Sequence, residues 1–593
     1  MHTETSPRID PISASVIQGG LQNIAVEMGY KLMRMSYSSI IRESEDFGAA
    51  LTDATGRQIA ESMQSTPLQS GPIAGYVRNV LLTLEARGET IFPGDVIMHN
   101  DPYGGASHGP DIAFLVPVFW ENALVGFSCT TAHHLDIGAS TPGSAGIVEA
   151  IDVYAEGLQF KAIKVYEQGR KIEQVWQILR DNVRAPKLVV GDMEAQIAAC
   201  EIGATRFVAL IGEHGLSRVT AAVDALMDHS EILMRRAISA IPDGTYAATT
   251  QVDGFLDDPE RRHQTLAVTL TVAGDEITVD LTGTSPQVSD RPINMPFEGT
   301  TDIAIWLTLR SVLLDSAVHG IIPQNSGLTR PITIIAPKGT LANPIFPAPV
   351  IARFTTGNQL ADTVLKALSL AVPEQVSAGI GNLKVIAFSG LKDDSHWVHM
   401  EIFEGSYGGR FGKDGMDAVD TLYANTRNNP IEDIETHLPL RIGRYELREH
   451  LAGAGRWRGG FGSVRSFEFL EDGGASIEGE GHEFRPWGFA GGHEGATARL
   501  VSISAAGETA ELPSKVPHRK SRRGDVLMAY GPAGGGYGNP LLREASSVLD
   551  DVLDELLTAE IARKDYGVVI EDGRLDRVKT EALRKTLSKE MGS

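Results

Sequence analysis

Histidine and aspartate side chains that can bind a metal are concentrated in residues 99–136, among glycines and apolar runs. Two of these runs, DIAFLVPVFW and ALVGFSCTTA, are separated by Glu121 and Asn122. Two apolar strands with a two-residue connection are typical of a β-hairpin. The segment therefore predicts a hairpin whose open end carries the polar residues that flank it.

The register of this hairpin decides which side chains meet. If Trp120 lies opposite Ala123, Asp111 falls opposite Ala132. With one more residue in the loop, Asp111 falls opposite His133 instead. Both registers bring a carboxylate and an imidazole to the same end of the hairpin.

His108 lies three residues before Asp111 in a loop flanked by glycine, so it can fold onto the same end. Two imidazoles and one carboxylate, without thiolate, suit zinc, manganese or ferrous iron. Three protein ligands leave a coordination position for water, which is a catalytic pattern. The alternative is that these residues cap strands and satisfy turn amides, as polar residues in loops rich in glycine and proline commonly do. Further candidates in reserve are His99, Asp101, His134 and Asp136.

Other catalytic motifs are weak. The chain has no G-x-S-x-G nucleophile elbow, and Cys129 and Cys200 are interpreted as reduced core residues. A dipositive ion that lowers the pKa of water to about 7 is then the simplest source of a nucleophile. His134 or Asp136 is a candidate proton shuttle, although a purely structural role explains either residue equally well.

Two glycine-rich segments resemble ligand-binding loops only superficially. GGRFGKDG (408–415) lacks the first glycine of a phosphate loop and has aspartate after its lysine, so it is rejected as an ATP site. GPAGGGYG (531–538) is followed by Asn539 and Pro540 rather than by a helix, which favours a turn.

Composition limits the class of protein. The 593 residues carry a net charge of −23, which argues against nucleic acid or an anionic membrane as a partner. Two cysteines are too few for a disulfide framework, and the polar N-terminus lacks the apolar core of a signal peptide. No apolar run is long enough to predict a membrane span. A cytoplasmic location is predicted.

Apolar periodicity predicts an α+β fold with several subdomains. Helices start the chain, a β-rich middle and C-terminal body follows, and two helices, at about 546–562 and 574–591, end it. The first amphipathic helix is predicted through Leu21, Ile24, Met28, Leu32 and Met35. The predicted parts are 1–243 with the metal site, 244–380 of mixed β and helix, 381–545 rich in β and glycine, and 546–593.

Several ordered blocks resemble the B-type subunits of the hydantoinase/oxoprolinase family, and the similarity covers nearly the whole chain. The blocks are DFGAALTDATG (46–56), PGDVIMHNDPYGGASHGPDI (93–112), AHHLDIG (132–138), DNVRAP (181–186), NPIEDIE (429–435), GAGRWRGGFG (453–462) and GPAGGGYGNP (531–540).

The resemblance implies a set of metal ligands. In the family, a histidine, an aspartate three residues later and a second histidine about twenty-five residues after the first bind the metal, and these positions fall on His108, Asp111 and His133. The aspartate that starts the first block, Asp46, is implied as a fourth ligand. Many relatives have a histidine-containing block after the first strand pair, where this chain has SMQSTPLQSG (62–71).

The resemblance also implies a divided reaction. An A-type ATPase subunit, which binds ATP and magnesium, would phosphorylate a cyclic amide such as a hydantoin, oxoproline or lactam. The B-type chain would hydrolyse the activated intermediate within a hetero-oligomer. One alternative is a subunit of an ATP-dependent ketone carboxylase, and another is a non-catalytic scaffold for the A-type subunit.

Overall fold

A computed structural model of the chain describes residues 9–255, 263–320 and 322–591. The start of the polar N-terminus, on which the signal-peptide prediction rests, lies outside these ranges. Within them the protein is an α+β molecule built from several sheets, as predicted. The elements of its N-terminal part are α1 (Pro11–Met35), α2 (Ser39–Arg42), β1 (Phe47–Asp53), β2 (Gln58–Glu61), α3 (Pro67–Ser70), α4 (Ile73–Arg87), β3 (Val96–His99), β4 (Asp111–Trp120), β5 (Ala123–His133), β6 (Ile163–Glu167), β7 (Arg170–Lys171), α5 (Glu173–Asn182), α6 (Pro186–His214) and α7 (Leu216–Ile238).

Helix α1 buries one apolar face against α6, α7 and β1. Its side-chain cap is Asp10, which accepts a hydrogen bond from the backbone N–H of Ser13 at 2.9 Å. Of the five predicted apolar positions, Leu21, Ile24, Met28 and Leu32 are buried, whereas Met35 is 40% exposed. Met35 is the last residue of α1 and lies outside its buried face.

The N-terminal strands form a seven-stranded sheet in the order β2-β1-β5-β4-β3-β6-β7. Helix α6 packs against β4 and β5 of this sheet and against α1. By length and composition, α6 is apolar enough to cross a membrane, although the sequence pattern predicts no span. Eleven of its residues are buried against the sheet and α1, which is also how the core helix of a globular fold behaves.

The middle of the chain carries a four-stranded sheet in the order β11-β10-β9-β8. Gly274, with φ of 63°, forms the predicted turn between β9 and β10. The elements here are β8 (Gly244–Asp253), β9 (His263–Ala273), β10 (Glu276–Asp280), α8 (Asp302–Leu313), α9 (Ser316–His319), β11 (Ile332–Ile335) and α10 (Phe354–Leu368).

The C-terminal body contains a four-stranded sheet, β13-β12-β16-β19, and a five-stranded sheet, β14-β15-β20-β17-β18. Apolar residues of both, among them Phe388 and Phe467, share one core. The elements are β12 (Lys384–Lys392), β13 (Ser395–Phe403), α11 (Ile431–His437), β14 (Leu440–Leu447), β15 (Ser463–Phe469), β16 (Gly473–Gly479), β17 (Arg499–Ile503), β18 (Thr509–Leu512), β19 (Lys515–Ser521) and β20 (Val526–Tyr530).

The C-terminal helices differ from the prediction in one respect. The stretch predicted as a single helix at 546–562 is two helices, because Glu555 takes a φ of 62° between them and the Thr558 hydroxyl accepts a hydrogen bond from the N–H of Ile561 to start the second. The elements are α12 (Ala545–Leu553), α13 (Ala559–Tyr566), β21 (Ile570–Glu571), β22 (Arg574–Leu575) and α14 (Arg577–Met591).

The segment 531–538 is packed backbone to backbone with several other loops, and we call this arrangement the glycine bundle. The N–H groups of Gly534, Gly535 and Gly536 donate to the carbonyl oxygens of three other segments, at Gly460, Gly379 and His493, over 2.8–2.9 Å. Their own carbonyls accept hydrogen bonds from Gly453, Gly409 and Phe489. The segment is therefore the centre of a hydrogen-bonded layer and more than the predicted turn.

A single hydrophobic core connects the N-terminal and middle parts, since one cluster of buried side chains runs from Ile17 to Ala424. Helix α10 contacts both α8 and the sheet strands β8 and β9 within it. The division of the chain at residues 243, 380 and 545 stays a prediction. This shared core holds the loops of the middle part against the open end of the β4–β5 hairpin.

Candidate metal centre

The β4–β5 hairpin has the register that places Asp111 directly opposite His133. Glu121 and Asn122 form its turn with φ of 48° and 67°, which is the left-handed geometry of a tight two-residue connection. Trp120 pairs with Ala123, so the loop itself holds no extra residue. The additional residue needed for this register is Val125 of β5, which forms a β-bulge opposite Val118 and Phe119.

Three ligand atoms converge at the open end of this hairpin. His108 Nε2 and His133 Nδ1 each lie 3.0 Å from Asp111 Oδ1, and the two nitrogens are 3.2 Å apart. The three side chains are between 0% and 3% exposed. Tetrahedral metal sites with ligand distances near 2.1 Å place neighbouring ligand atoms roughly 3.4 Å apart. The spacing therefore fits a zinc or manganese ion with modest expansion.

Each imidazole is held by a hydrogen bond on its outer nitrogen. His108 Nδ1 lies 3.0 Å from the carbonyl oxygen of Ile351, so it carries the proton. His133 Nε2 lies 2.8 Å from the hydroxyl of Ser144. When these outer nitrogens donate, both inner nitrogens present lone pairs to the carboxylate. Three acceptors that face one another in a buried space are an arrangement that a cation stabilises.

Asp111 is surrounded by donors as well as by the two histidines. Its Oδ1 accepts from Gln69 Nε2 at 2.8 Å, and its Oδ2 accepts from Arg353 at 3.0 Å and from the Ser107 hydroxyl. Burial alone would raise the pKa of Asp111, but His108, His133 and Arg353 together hold it well below its usual value. Burial and the Arg353 guanidinium lower the pKa of His108 to about 4. The pair is thus a carboxylate beside a neutral imidazole, the forms that bind metals.

Asp46 lies beside the cluster, directly before β1. Its carbonyl oxygen accepts from the N–H of His133 at 3.2 Å, and its Oδ1 accepts from the Thr66 hydroxyl at 3.2 Å. Burial raises the pKa of Asp46 to about 6, with His133 opposing and Asp111 reinforcing the shift. The structure brings Asp46 next to the cluster but does not place its carboxylate among the three converging atoms. Its role as a fourth ligand stays a prediction.

The two candidate proton shuttles have other partners. His134 Nε2 lies 2.9 Å from Gln196 Oε1, and burial lowers the pKa of His134 to about 4. Its Nδ1 is buried without a hydrogen-bond partner among the described residues. Asp136 forms an ion pair with Arg184 at 2.8 Å and also accepts from the Arg184 backbone N–H. Their assignment as catalytic residues stays a prediction.

Two of the reserve candidates have structural partners. His99 Nε2 donates to the carbonyl of Gly104 at 2.9 Å, and its Nδ1 accepts from the N–H of Ala162 at 3.1 Å. Asp101 forms an ion pair with Lys161 at 3.0 Å. These contacts fix the loop that carries His108 and leave neither side chain facing the three ligand atoms.

Sequence reasoning missed Gln69 and Arg353, the two charged or amide side chains that bind Asp111. Gln69 belongs to the block 62–71, where this chain lacks the histidine of many relatives, and that departure was the only signal. Arg353 is 2% exposed and lies 242 positions from Asp111 in the chain. No local pattern connects two residues at that separation.

Comparisons with known proteins identify a family that this chain resembles. The family model described as hydantoinase B/oxoprolinase matches residues 10–540. The chain is 61% identical over 589 residues to a putative D-/L-hydantoinase subunit, of the B type, from Pseudomonas sp. (strain NS671), with 99% of both chains covered. It is 32% identical to the beta subunit of the caprolactamase of Pseudomonas jessenii, covering 97% of this chain and 99% of that one.

Solved structures support the same fold. The crystal structure of the ATP-dependent caprolactamase from Pseudomonas jessenii matches with a TM-score of 0.87 at 30% identity, covering 97% of this chain and 100% of that one. A nucleotide-free acetone carboxylase structure matches with a TM-score of 0.88, covering 98% of this chain and 83% of that one. At 20% identity, the likeness to the carboxylase is one of fold alone.

Proposed function

This chain belongs to the hydantoinase B/oxoprolinase family, and from that premise we propose that it is the metal-dependent B-type subunit of an ATP-dependent enzyme that opens cyclic amides. Hydantoins, oxoproline and lactams are the proposed substrates. Relatives named as a hydantoinase subunit and a caprolactamase subunit support this substrate class. The observation that carries the proposal is the convergence of His108, Asp111 and His133 on one buried point.

The proposed metal is zinc or manganese, held by His108, Asp111 and His133, with Asp46 as a fourth ligand. Such an ion polarises a carbonyl and lowers the pKa of water to about 7. Ser144 and the Ile351 carbonyl orient the two imidazoles, while Gln69 and Arg353 orient the carboxylate. Burial of the cluster excludes bulk water and strengthens each of these interactions.

The nucleotide step is assigned to a partner. Unactivated amides in five- to seven-membered rings resist hydrolysis, so phosphorylation of the amide oxygen is proposed to create the leaving group. The hydantoinase and caprolactamase relatives are each named as one subunit of their enzyme, which supports a hetero-oligomer with an A-type ATPase that binds ATP and magnesium. The two cysteines, free and buried, fit the proposed cytoplasmic location.

Metal analysis of single variants tests the ligand set. We expect wild-type protein to carry one transition-metal ion per chain and His108→Ala, Asp111→Ala and His133→Ala to lose most of it, because each removes one of three converging donors. Elemental analysis after gel filtration measures the content. Gln69→Ala is the matched control. It removes only a hydrogen bond to the ligand Asp111, so the affinity for the metal should fall by about 10–100-fold. Full metal content in all three ligand variants would contradict the assignment.

Nucleotide binding tests the division of labour. The isolated chain is expected neither to bind nor to hydrolyse ATP, because the segment 408–415 is packed into the glycine bundle. There the N–H of Gly409 is donated to Gly535, and Arg410 and Lys413 pair with each other through their backbones. Equilibrium dialysis with labelled ATP measures binding. Saturable binding by this chain alone would overturn the assignment of ATP to the partner.

A substrate panel separates the proposed hydrolase from a carboxylase. Both subunits are incubated with ATP and a hydantoin, oxoproline, a lactam or a ketone, with and without bicarbonate. We expect product from at least one cyclic amide and none that depends on bicarbonate. Carboxylation of a ketone without ring opening would replace this proposal by the carboxylase alternative.

A further inference from the structure

A cavity of about 170 Å³ lies between the N-terminal and middle parts, on the far side of α3 from the metal cluster. Pro67 and Ser70 of α3 line the cavity, whereas Gln69 of the same helical turn donates to Asp111. One turn of helix therefore separates the cavity from the cluster. A cavity of about 150 Å³ lined by aliphatic side chains is large enough to admit benzene, which gives the scale of a ligand.

One face of α8 supplies two polar side chains to the cavity. Trp306 and Arg310 are four residues apart and so lie on the same side of the helix. The indole Nε1 of Trp306 is buried without a hydrogen-bond partner among the described residues. A buried donor without a partner has lost its hydrogen bond to water and gained none in return, so an acceptor placed beside it is favoured.

The charge of Arg310 also favours an anionic ligand in the cavity. Burial lowers the pKa of Arg310, and the carboxylate of Glu61 opposes this shift. Burial in turn raises the pKa of Glu61, with Arg310 opposing. Glu61 is already engaged by Gln58 Nε2 at 2.8 Å. A ligand anion near Arg310 would supply the stabilisation that burial removes from its guanidinium.

The remaining wall is mixed, and its apolar part suits a hydrocarbon chain. Two of its charged side chains have other partners, since the Asp302 carboxylate accepts from the N–H groups of Gly299 and Ile303, and Arg78 pairs with Glu298. The wall is formed from helices, a strand and a turn of both parts of the molecule, and its apolar members are Met234, Ile303, Leu307, Leu328 and Ile332. Apolar area with a few convergent polar groups is typical of small-molecule sites.

We propose that this cavity binds a small aliphatic carboxylate, with its carboxylate between Trp306 Nε1 and the Arg310 guanidinium and its chain against the apolar wall. The site is distinct from the metal cluster and does not depend on the reaction assigned to the chain. Ring-opened amides belong to the same chemical class, and that connection alone rests on the proposed function.

Titration calorimetry of the purified full chain with 4-methylpentanoate tests the site, with uncharged 4-methylpentanamide as the paired ligand. We expect one saturable site per chain for the acid and at least about tenfold weaker binding of the amide, because a hydrogen bond to a charged group contributes about 1.5–3 kcal/mol. Trp306→Phe keeps an aromatic side chain but removes the Nε1 donor, and it should weaken binding of the acid about 3–10-fold. Arg310→Met should weaken it about 10–100-fold.

Arg441→Met is the control variant, since Arg441 lies on exposed β14 and pairs with Glu468. Its affinity for the acid should equal that of the wild type. A crystal structure with 4-methylpentanoate should show the carboxylate within hydrogen-bond distance of Trp306 Nε1. Equal affinity for acid and amide, unchanged affinity in Trp306→Phe, absence of saturable binding, or a carboxylate found at His108 and His133 instead would each overturn the proposal.

Discussion

Replacing His133 by alanine in the complex with its proposed A-type partner should leave substrate-dependent phosphate release intact and lower ring opening about a thousandfold. In the proposed division of labour, phosphorylation takes place on the partner and needs none of the side chains at the hairpin end. Ring opening is proposed to need the cluster, where His133 Nδ1 is one of three converging ligand atoms. Loss of about 4 kcal/mol of electrostatic stabilisation corresponds to three powers of ten in rate. Phosphate and ring-opened product are measured in one reaction.

His399→Ala is the matched control for this experiment. His399 is also buried, and its Nε2 lies 2.7 Å from the carboxylate of Glu401, but both belong to β13 rather than to the metal cluster. A folded complex that carries His399→Ala should release phosphate and form ring-opened product in the same ratio as the wild type. Size-exclusion chromatography checks assembly of both variants. Normal ring opening in His133→Ala would remove His133 from the chemistry, and loss of assembly would assign the cluster a structural role instead.

Replacing Gly535 by alanine should prevent folding or lower the melting temperature by at least about 3 °C. A Cβ at this position would overlap the carbonyl oxygen of Trp487, which belongs to the backbone and cannot rotate away. The same residue donates to Gly379 and accepts from Gly409, so a local shift would break hydrogen bonds to two other segments. Costs above about 4 kcal/mol are exceptional among single substitutions, and this site combines overlap with lost hydrogen bonds. Circular dichroism on heating measures the change.

Gly19→Ala is the control for the same chemical change. Gly19 lies in the interior of α1, and a Cβ there meets nothing within 4 Å. Alanine should stabilise the helix by about 0.5–1 kcal/mol. If the Gly535→Ala protein has the same melting temperature as the wild type, the glycine bundle rearranges easily.

The hairpin illustrates what the sequence predicts well. Its two strands, its turn at Glu121 and Asn122 and the meeting of Asp111 with a residue near His133 follow from an apolar pattern that local physics enforces. The choice between Ala132 and His133 depended on one extra residue, and Val125, which provides it as a bulge, lies within the apolar run of ALVGFSCTTA without interrupting it. Alternation of side chains locates strands but does not reveal where a strand slips by one position.

The residues that orient the cluster could not be predicted from local sequence patterns, for a different reason. Arg353 and the Ile351 carbonyl come from the segment directly before α10, in another part of the chain. They approach the hairpin because the two parts share one core. The glycine bundle is similar, since each glycine at 534–536 is required by the backbone of a distant loop rather than by its own turn. A single sequence does not encode such pairings in any short-range pattern.

The long separation between the ligands and their support has a consequence for how the protein is made. His108 and Asp111 are joined to Ile351 and Arg353 across 243 and 242 positions. Chains emerge from the ribosome N-terminus first, at about 5–20 residues per second, so the hairpin has left the ribosome well before α10 is synthesised. During that interval the imidazole of His108 and the carboxylate of Asp111 lack the partners that orient them. Capture of the proposed ion with full affinity would thus be a late event in biogenesis, after more than half of the polypeptide has been translated.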